Sequence, residues 1–486
     1  MDVGGGLNPL DPSHRKMCRI DDMKPLRGLL CFLRKFVNLP PNAYNVIHNK
    51  YMKNDSFIIE GLAGKKSLKG EIAVNGAKNA VLKAMAASLL FSDEIKLENV
   101  PHTEDVKKMN TLLEKLGAKF THTDHKVTID ASGVKISDLD EGLAQSMRSS
   151  VVLTGPLLAR FGKTSFPAPG GCVIGTRPID QFVSGYRKMG VTVEYKNDTY
   201  YMSAPGGKLK GAEIFFNMQT VGGTETLMMA AVLAEGKTVL KNCAMEPEIV
   251  SVAEYLNSCG AQIKGAGTTT IEITGGGLLA SKGKPYVTLP DRIEAGSFLI
   301  LGALCADDLK ITNCNPAYLE ITINILRDAG VPITTTKDTI EIKGNGKIKN
   351  SSFKAFDVRT HEYPGFPTDL QSPMITFLTQ TAGESTVLET IYEGRFKFTQ
   401  NLMKLGAQIT TMNPREILVH GSADFKAIPD ESLDAYDIRA GFATVVAALL
   451  AKGTSVVSNV YYIDRGYESL ETRLNALGAN IARKTA

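Results

Sequence analysis

The segment PAPGGCVIGTRPID (167–180) places one thiol, Cys172, behind two glycines and five residues ahead of Arg177, with prolines on both sides. Buried structural cysteines lie in apolar runs, and this one does not. In so polar a stretch Cys172 is either an incidental loop residue or a reagent, because thiol chemistry belongs to exposed, electropositive positions. Comparable polar breaks recur along otherwise apolar sequence. Lys78 and Asn79 stand in NGAKNA, Arg148 in QSMRSS, Arg177 and Asp180 in GTRPID, and Asp291, Arg292 and Glu294 in PDRIEAG. Asp369 stands in GFPTDLQ, Arg395 in YEGRF, Arg439 in DIRAG and Arg465 in IDRGYE. Asparagine, serine and glycine at helix openings leave N–H groups and the positive dipole end facing outward, which suits anions. Cations beside buried helices need a polyanionic ligand or internal carboxylates, since an unpaired buried charge is costly. On residue type alone the two explanations are evenly balanced.

What positions these residues is a repeat. LEKLGAKF, YRKMGVTV, LNSCGAQI, LRDAGVPI, LMKLGAQI and LNALGANI recur, with glycines at 117, 190, 260, 330, 406 and 478 and intervals of 73, 70, 70, 76 and 72 residues. Each reads as a helix end, a glycine cap and an alternating strand. Between them lie NAVLKAMAASLLF, SSVVLTGPLLARFG, TLMMAAVLAEG, SFLILGALCADD, MITFLTQTAGES and ATVVAALLAKG, each apolar on nearly every side. A helix of that kind must be buried all round. Short β-like runs such as KTVLKN and TSVVSN follow. The sequence therefore predicts an α/β protein of two inside-out lobes. Each has three units, with sheets outside and inner helices at the core. A hinge is expected near KPYVTLPDRIEAG (284–296), and a cleft between lobes is a favoured ligand site.

Composition sets limits. The chain has 486 residues, 43% hydrophobic and 22% charged, which suits a globular protein with two or three cores. No apolar run is long enough to predict a membrane span. The seven cysteines are scattered without a CxxC pair and odd in number, so a reducing cytoplasm is the expected compartment. The seven histidines show no HExxH spacing, and no zinc or iron site is readable. Residues 1–55 carry nine Lys/Arg against five Asp, which is the whole net charge of +4. The remainder is balanced and lacks a basic patch, which argues against nucleic acid. Residues 1–56 read as an extension without regular structure, although PLRGLLCFLRKFV (25–37) could form a short basic amphipathic helix.

From about Phe57 onward the chain resembles the UDP-N-acetylglucosamine 1-carboxyvinyltransferases, the enolpyruvyl transferases of peptidoglycan synthesis. NGAKNA, PGGCVIGTRPID, EPEIV, LPDRIEAGSF, GFPTDLQ and IDRGYE occur in that family's order and span both expected lobes. The resemblance implies a first lobe of residues 57–77 plus 289–486 and a second of 78–288 that carries the Cys172 lid. The active site would lie between them. The implied substrates are phosphoenolpyruvate and UDP-N-acetylglucosamine, with no metal and no cofactor. The implied phosphoenolpyruvate cage is Lys78, Arg177, Arg395, Arg439 and Arg465. Implied sugar-nucleotide contacts are Lys78 with Asn79, then Arg148, the run Arg177, Pro178, Ile179, Asp180 and Gln181, then Thr220, Val221 and Ile391. Asp369 matches the family's proposed general base, and Cys172 its reactive lid cysteine, also the point of attack of the epoxide fosfomycin.

Phe182, Met218, Gly394 and Tyr462 depart from residues common in the family at substrate-facing positions. The rival enzyme is the shikimate-pathway enolpyruvyl transferase, disfavoured because NGAKNA stands in place of its GSKS-type opening. A rival from another class is a silent paralogue that binds UDP-sugar and regulates synthesis. Sequence leaves the oligomeric state open and is compatible with a monomer.

Overall fold

The computed structural model describes residues 55–168, 179–344, 349–428 and 431–485. Cys172, Arg177, Pro178 and residues 1–54 of the N-terminal extension lie outside them, and Ser56 of that extension already belongs to a strand.

The repeat glycines turn the chain as their spacing predicts. Glu104–Leu116, Asp180–Lys188, Pro247–Ser258, Glu320–Asp328, Thr399–Leu405 and Leu470–Ala476 are helices that end at or just before them. All six glycines have positive φ, between 87° and 117°. The residue after each donates its N–H to the carbonyl five positions back, as in Ala118 to Leu113, Ala261 to Leu256 and Ala479 to Leu474. This closes the helix end with a left-handed residue that only glycine adopts without strain.

The inner elements are also present. Lys78–Ala87, Val221–Ala231, Arg292–Cys305, Gln371–Leu378 and Ile438–Leu450 are helices whose side chains are almost entirely buried. The second unit differs from one continuous helix. A 3₁₀ segment, Arg148–Leu153, leads into the α-helix Thr154–Phe161. Pro156 sits in the first turn of that helix, where its missing N–H costs nothing.

Among the described residues the strands form six sheets, five of four strands and one of three. In each four-stranded sheet one edge pair is parallel and the others are antiparallel, as where Ala306–Thr312 runs parallel to Leu68–Ala73 and antiparallel to Ile340–Lys343. Two apolar cores result. One gathers residues between 81 and 286; the other gathers residues 57–74 with residues between 293 and 481. Ser56–Glu60 lies between Thr454–Ser458 and Asn480–Lys484, so the start of the described chain is stitched to its end. The two crossings between cores are bonded to each other, Ala77 N–H to Leu289 O and Asp291 N–H to Asn75 O, at 2.8 and 2.9 Å. Among the described residues no helix is long and apolar enough to cross a membrane.

Gly260 has φ +109° and open space where a Cβ would stand, so substitution there isolates backbone strain. Gly260→Ala is expected to destabilise the protein by about 1–2 kcal/mol, seen as a lower midpoint in urea. An unchanged midpoint would contradict the cap assignment.

Candidate active site

Every inner element begins with candidate residues. Lys78 opens Lys78–Ala87, Arg148 opens its 3₁₀ segment, and Thr220 caps Val221–Ala231. Asp291 caps Arg292–Cys305, Asp369 lies just before Gln371–Leu378, and Asp437 caps Ile438–Leu450 ahead of Arg439. The fold repeats one local solution six times, a polar helix start on a buried helix.

Two carboxylates organise the cations. Asp105, 1% exposed, accepts from Lys78 Nζ at 3.0 Å through Oδ2 and from Arg465 Nε at 2.8 Å through Oδ1. Lys78 and Asp105 flank the first core, whereas Arg465 belongs to the second, so this triad spans both. Asp369 accepts from Arg395 Nη2 at 2.9 Å through Oδ1 and from Arg439 Nη2 at 3.3 Å through Oδ2. Arg395 and Arg439 are 2% and 4% exposed. Burial lowers the Lys78 ammonium; Asp105 opposes that, while Arg439 and Arg465 add to it. Lys78 thus feels cations from both groups. Burial also pushes the Asp105 carboxyl up, but Lys78 and Arg465 outweigh it and hold the group well below the usual carboxylate range. Among the described residues the buried Nε of Arg395 has no hydrogen-bond partner. A buried donor left in that state is a natural place for an anionic ligand.

Glu389 supports this arrangement. Fully buried, it accepts the Thr368 hydroxyl at 2.9 Å and the backbone N–H groups of Ile391 and Tyr392 at 2.8 and 3.0 Å. Thr368 in turn accepts from Arg395 Nη1 at 3.0 Å. One carboxylate thereby fixes the turn bearing Ile391, the threonine beside Asp369 and one arm of Arg395.

The remaining candidates are more dispersed. Asn79 is half-buried, and its carbonyl accepts from Lys83. Arg148 is half-buried. Ile179 is buried, Asp180 is exposed, and Gln181 Oε1 lies 3.5 Å from the Met218 N–H, which joins that helix start to the segment before Thr220. Thr220 caps its helix through Gly223 N–H at 3.2 Å, with Val221 next to it. Among the departures, Phe182 is buried and packs near Gly222, Met218 is 58% exposed, and Tyr462 is half-buried. Arg292 is not in the cluster of four. It pairs with Glu248 at 3.1 Å across the two cores and lies over the Tyr363 ring. Glu294 pairs with Arg473 at 2.6 Å, so internal carboxylates, one of the two explanations weighed for these cations, account for Arg292 and Arg473.

Sequence reading missed Asp105, Thr368 and Glu389. Asp105 lies 360 residues from Arg465 and carries no motif spacing. The signal available for Thr368 and Glu389 was local: a hydroxyl beside Asp369, and an acid two residues ahead of Ile391.

Comparison with known proteins defines the class. The chain matches EPSP synthase (3-phosphoshikimate 1-carboxyvinyltransferase) over residues 62–474. Its fold resembles that of an enolpyruvyl transferase from Streptomyces tendae, with TM-score 0.76, 21% identity, and coverage of 90% of this chain and 100% of that one. It also resembles EPSP synthase from Acinetobacter baumannii, with TM-score 0.66, 17% identity, and coverage of 89% and 100%. Much closer in sequence is the UDP-N-acetylglucosamine 1-carboxyvinyltransferase of Acidobacterium capsulatum, 42% identical over 434 residues, 88% of this chain and 96% of the relative. The enzyme of the same name from Desulfatibacillum aliphaticivorans is 41% identical over 429 residues, 88% and 99% of the two chains. The chain belongs to the EPSP synthase family and, within it, to the UDP-N-acetylglucosamine 1-carboxyvinyltransferases.

Removing the Asp105 charge would leave Lys78 and Arg465 without their shared partner. Asp105→Asn is expected to lose about 3 kcal/mol near neutral pH. The sign follows from linkage. A carboxyl held low in the folded state contributes fully above its unfolded pKa, and that contribution disappears as pH falls through the folded value. The gap between wild type and variant should therefore narrow only in strong acid. Equal stability at pH 7 by urea unfolding would contradict this role.

Proposed function

We propose that the chain transfers the enolpyruvyl group of phosphoenolpyruvate to the 3′-hydroxyl of UDP-N-acetylglucosamine and releases phosphate, the first committed step of peptidoglycan precursor synthesis. The observation that carries this reading is the 42% identity to a UDP-N-acetylglucosamine 1-carboxyvinyltransferase along nearly its whole length. The buried cations support it on physical grounds. Phosphoenolpyruvate is a carboxylate and a phosphate on one small frame, and arginine holds either in a bidentate fork. Lys78, Arg395, Arg439 and Arg465, joined by Arg177, serve as its cage. Lys78 and Asn79, Arg148, residues 177–181, Thr220, Val221 and Ile391 hold the sugar nucleotide.

The reaction adds the sugar oxygen to C2 of phosphoenolpyruvate while C3 gains a proton. The adduct then loses that C3 proton and phosphate to restore the double bond. Asp369 takes the hydroxyl proton, and its negative charge favours the cationic character that develops at C2. Its contacts with Arg395 and Arg439 aim it at the same place as the cage. Cys172, on its glycine-bordered segment, either donates the C3 proton or assists product release. We place the reaction in the cytoplasm. Cys243, Cys259, Cys305 and Cys314 are all free thiols, which suits a reducing compartment.

The testing experiment is phosphate release from phosphoenolpyruvate with UDP-N-acetylglucosamine or with shikimate 3-phosphate as acceptor. Turnover is expected only with the sugar nucleotide. Turnover with shikimate 3-phosphate would assign the rival branch, and none with either would favour a silent paralogue. Asp369→Asn should lower kcat by at least about 10²-fold with sugar-nucleotide binding nearly intact. Near-normal turnover would place the base elsewhere.

Burial pushes the thiols of Cys243 and Cys305 up to about 12 and that of Cys314 up to about 11, which leaves them unreactive near neutrality. As the family resemblance implies, fosfomycin, an epoxide phosphonate, should label Cys172, faster when UDP-N-acetylglucosamine is present, and Cys172→Asp should keep activity without labelling. An adduct mapped by mass spectrometry to another cysteine would refute the assignment.

A further inference from the structure

We propose that His102, Asp124, His125 and Glu468 form a binding site for a divalent transition-metal cation of the zinc class, which links the two cores. His102 precedes the helix Glu104–Leu116, and Asp124 and His125 form the turn between the strands Lys119–Thr123 and Lys126–Asp130. Glu468 comes from the other core, three residues beyond Arg465 in IDRGYE. One ligand atom each from His102, Asp124 and His125 lies within 4.8 Å of the others. His125 Nε2 is 3.8 Å from Asp124 Oδ1 and 3.9 Å from Glu468 Oε1. The His102 and His125 rings stand 4.4 Å apart, centroid to centroid.

The supporting hydrogen bonds aim these groups inward. His125 Nδ1 lies 2.8 Å from the Val100 carbonyl, which can only accept. In the neutral ring Nδ1 therefore carries the proton, and Nε2 presents its lone pair to the cluster. Glu468 Oε2 accepts the His102 N–H at 2.7 Å, which leaves Oε1 turned toward His125. Two imidazoles and two carboxylates neutralise a divalent ion and suit zinc-like metals better than calcium or magnesium. Tetrahedral zinc with such donors separates its ligand atoms by about 3.4 Å. The spacings among His102, Asp124 and His125 contract to that value by side-chain movements that exposed His102 and Asp124 can make, while Glu468 closes the last gap from 3.9 Å at His125. The ligands are 23 and several hundred residues apart in sequence, so no spacing motif announces them. An ion held there would fasten Glu468, and with it the neighbouring Arg465, to the core that carries Asp105.

The test is a zinc titration of the full chain against a chromophoric chelator at neutral pH, repeated on variants, with cobalt(II) absorption as a second probe. The wild type should bind one more ion than His125→Ala. Affinity should fall at least tenfold in His102→Ala and in Glu468→Gln, and a tetrahedral cobalt spectrum should vanish in His125→Ala. If His125→Ala does not fold, Asp124→Ser on the exposed turn replaces it. The same stoichiometry and affinity in wild type and the histidine variants would overturn the site. Loss in the histidine variants with full affinity in Glu468→Gln would overturn the link between cores.

Discussion

The site depends on carboxylates shared between buried cations. Asp105 holds Lys78 and Arg465, and Asp369 holds Arg395 and Arg439. Burying Lys78, Arg395 and Arg439 and half-burying Arg465 is tolerable only because each finds a carboxylate, and removing one partner of such a group is far more costly than the net worth of the pair. Yet two carboxylates do not saturate the donors of three guanidinium groups and an ammonium. Among the described residues the buried Nε of Arg395 is left without a hydrogen-bond partner, one such remainder. A small polyanion would complete what the carboxylates leave unfinished, which is how the proposed site joins ionic packing to enolpyruvyl transfer.

The repeat explains how so polar a cluster can rest on apolar cores. Each inner helix is buried along its length, so its one polar opportunity is its N-terminal end, where N–H groups and side chains meet a carboxylate, a cap or a ligand. Asp291 and Asp437 use that end as caps, Lys78 places an ammonium there, and Asp369 lies one turn ahead of it. The same architecture holds the Arg292–Glu248 pair between the cores, beside the two chain crossings. Structural ion pairs and site residues thus arise from one repeated feature, and sequence alone could not sort one from the other.

What sequence revealed follows from how local the causes are. A glycine forced to positive φ at a helix end and a helix apolar all round are properties of a dozen residues, so all six units were legible from Gly117 to Gly478. The cations at helix starts were legible for the same reason. Asp105, Glu389 and Thr368 were not, because their importance lies in partners brought by the fold rather than in neighbours along the chain. The 3₁₀ opening of the second unit was hidden too, although Pro156 marked the point where regular helix begins.

The measurement closest to the central claim is the unfolding temperature of the full chain, with UDP-N-acetylglucosamine present, against inorganic phosphate at constant ionic strength set with sodium chloride. If the buried cations form a polyanion site, phosphate should raise the unfolding temperature beyond any effect of chloride, by mass action on the folded state. Arg395→Met should lose most of that rise. Equal stabilisation of wild type and Arg395→Met, or none specific to phosphate, would contradict the account.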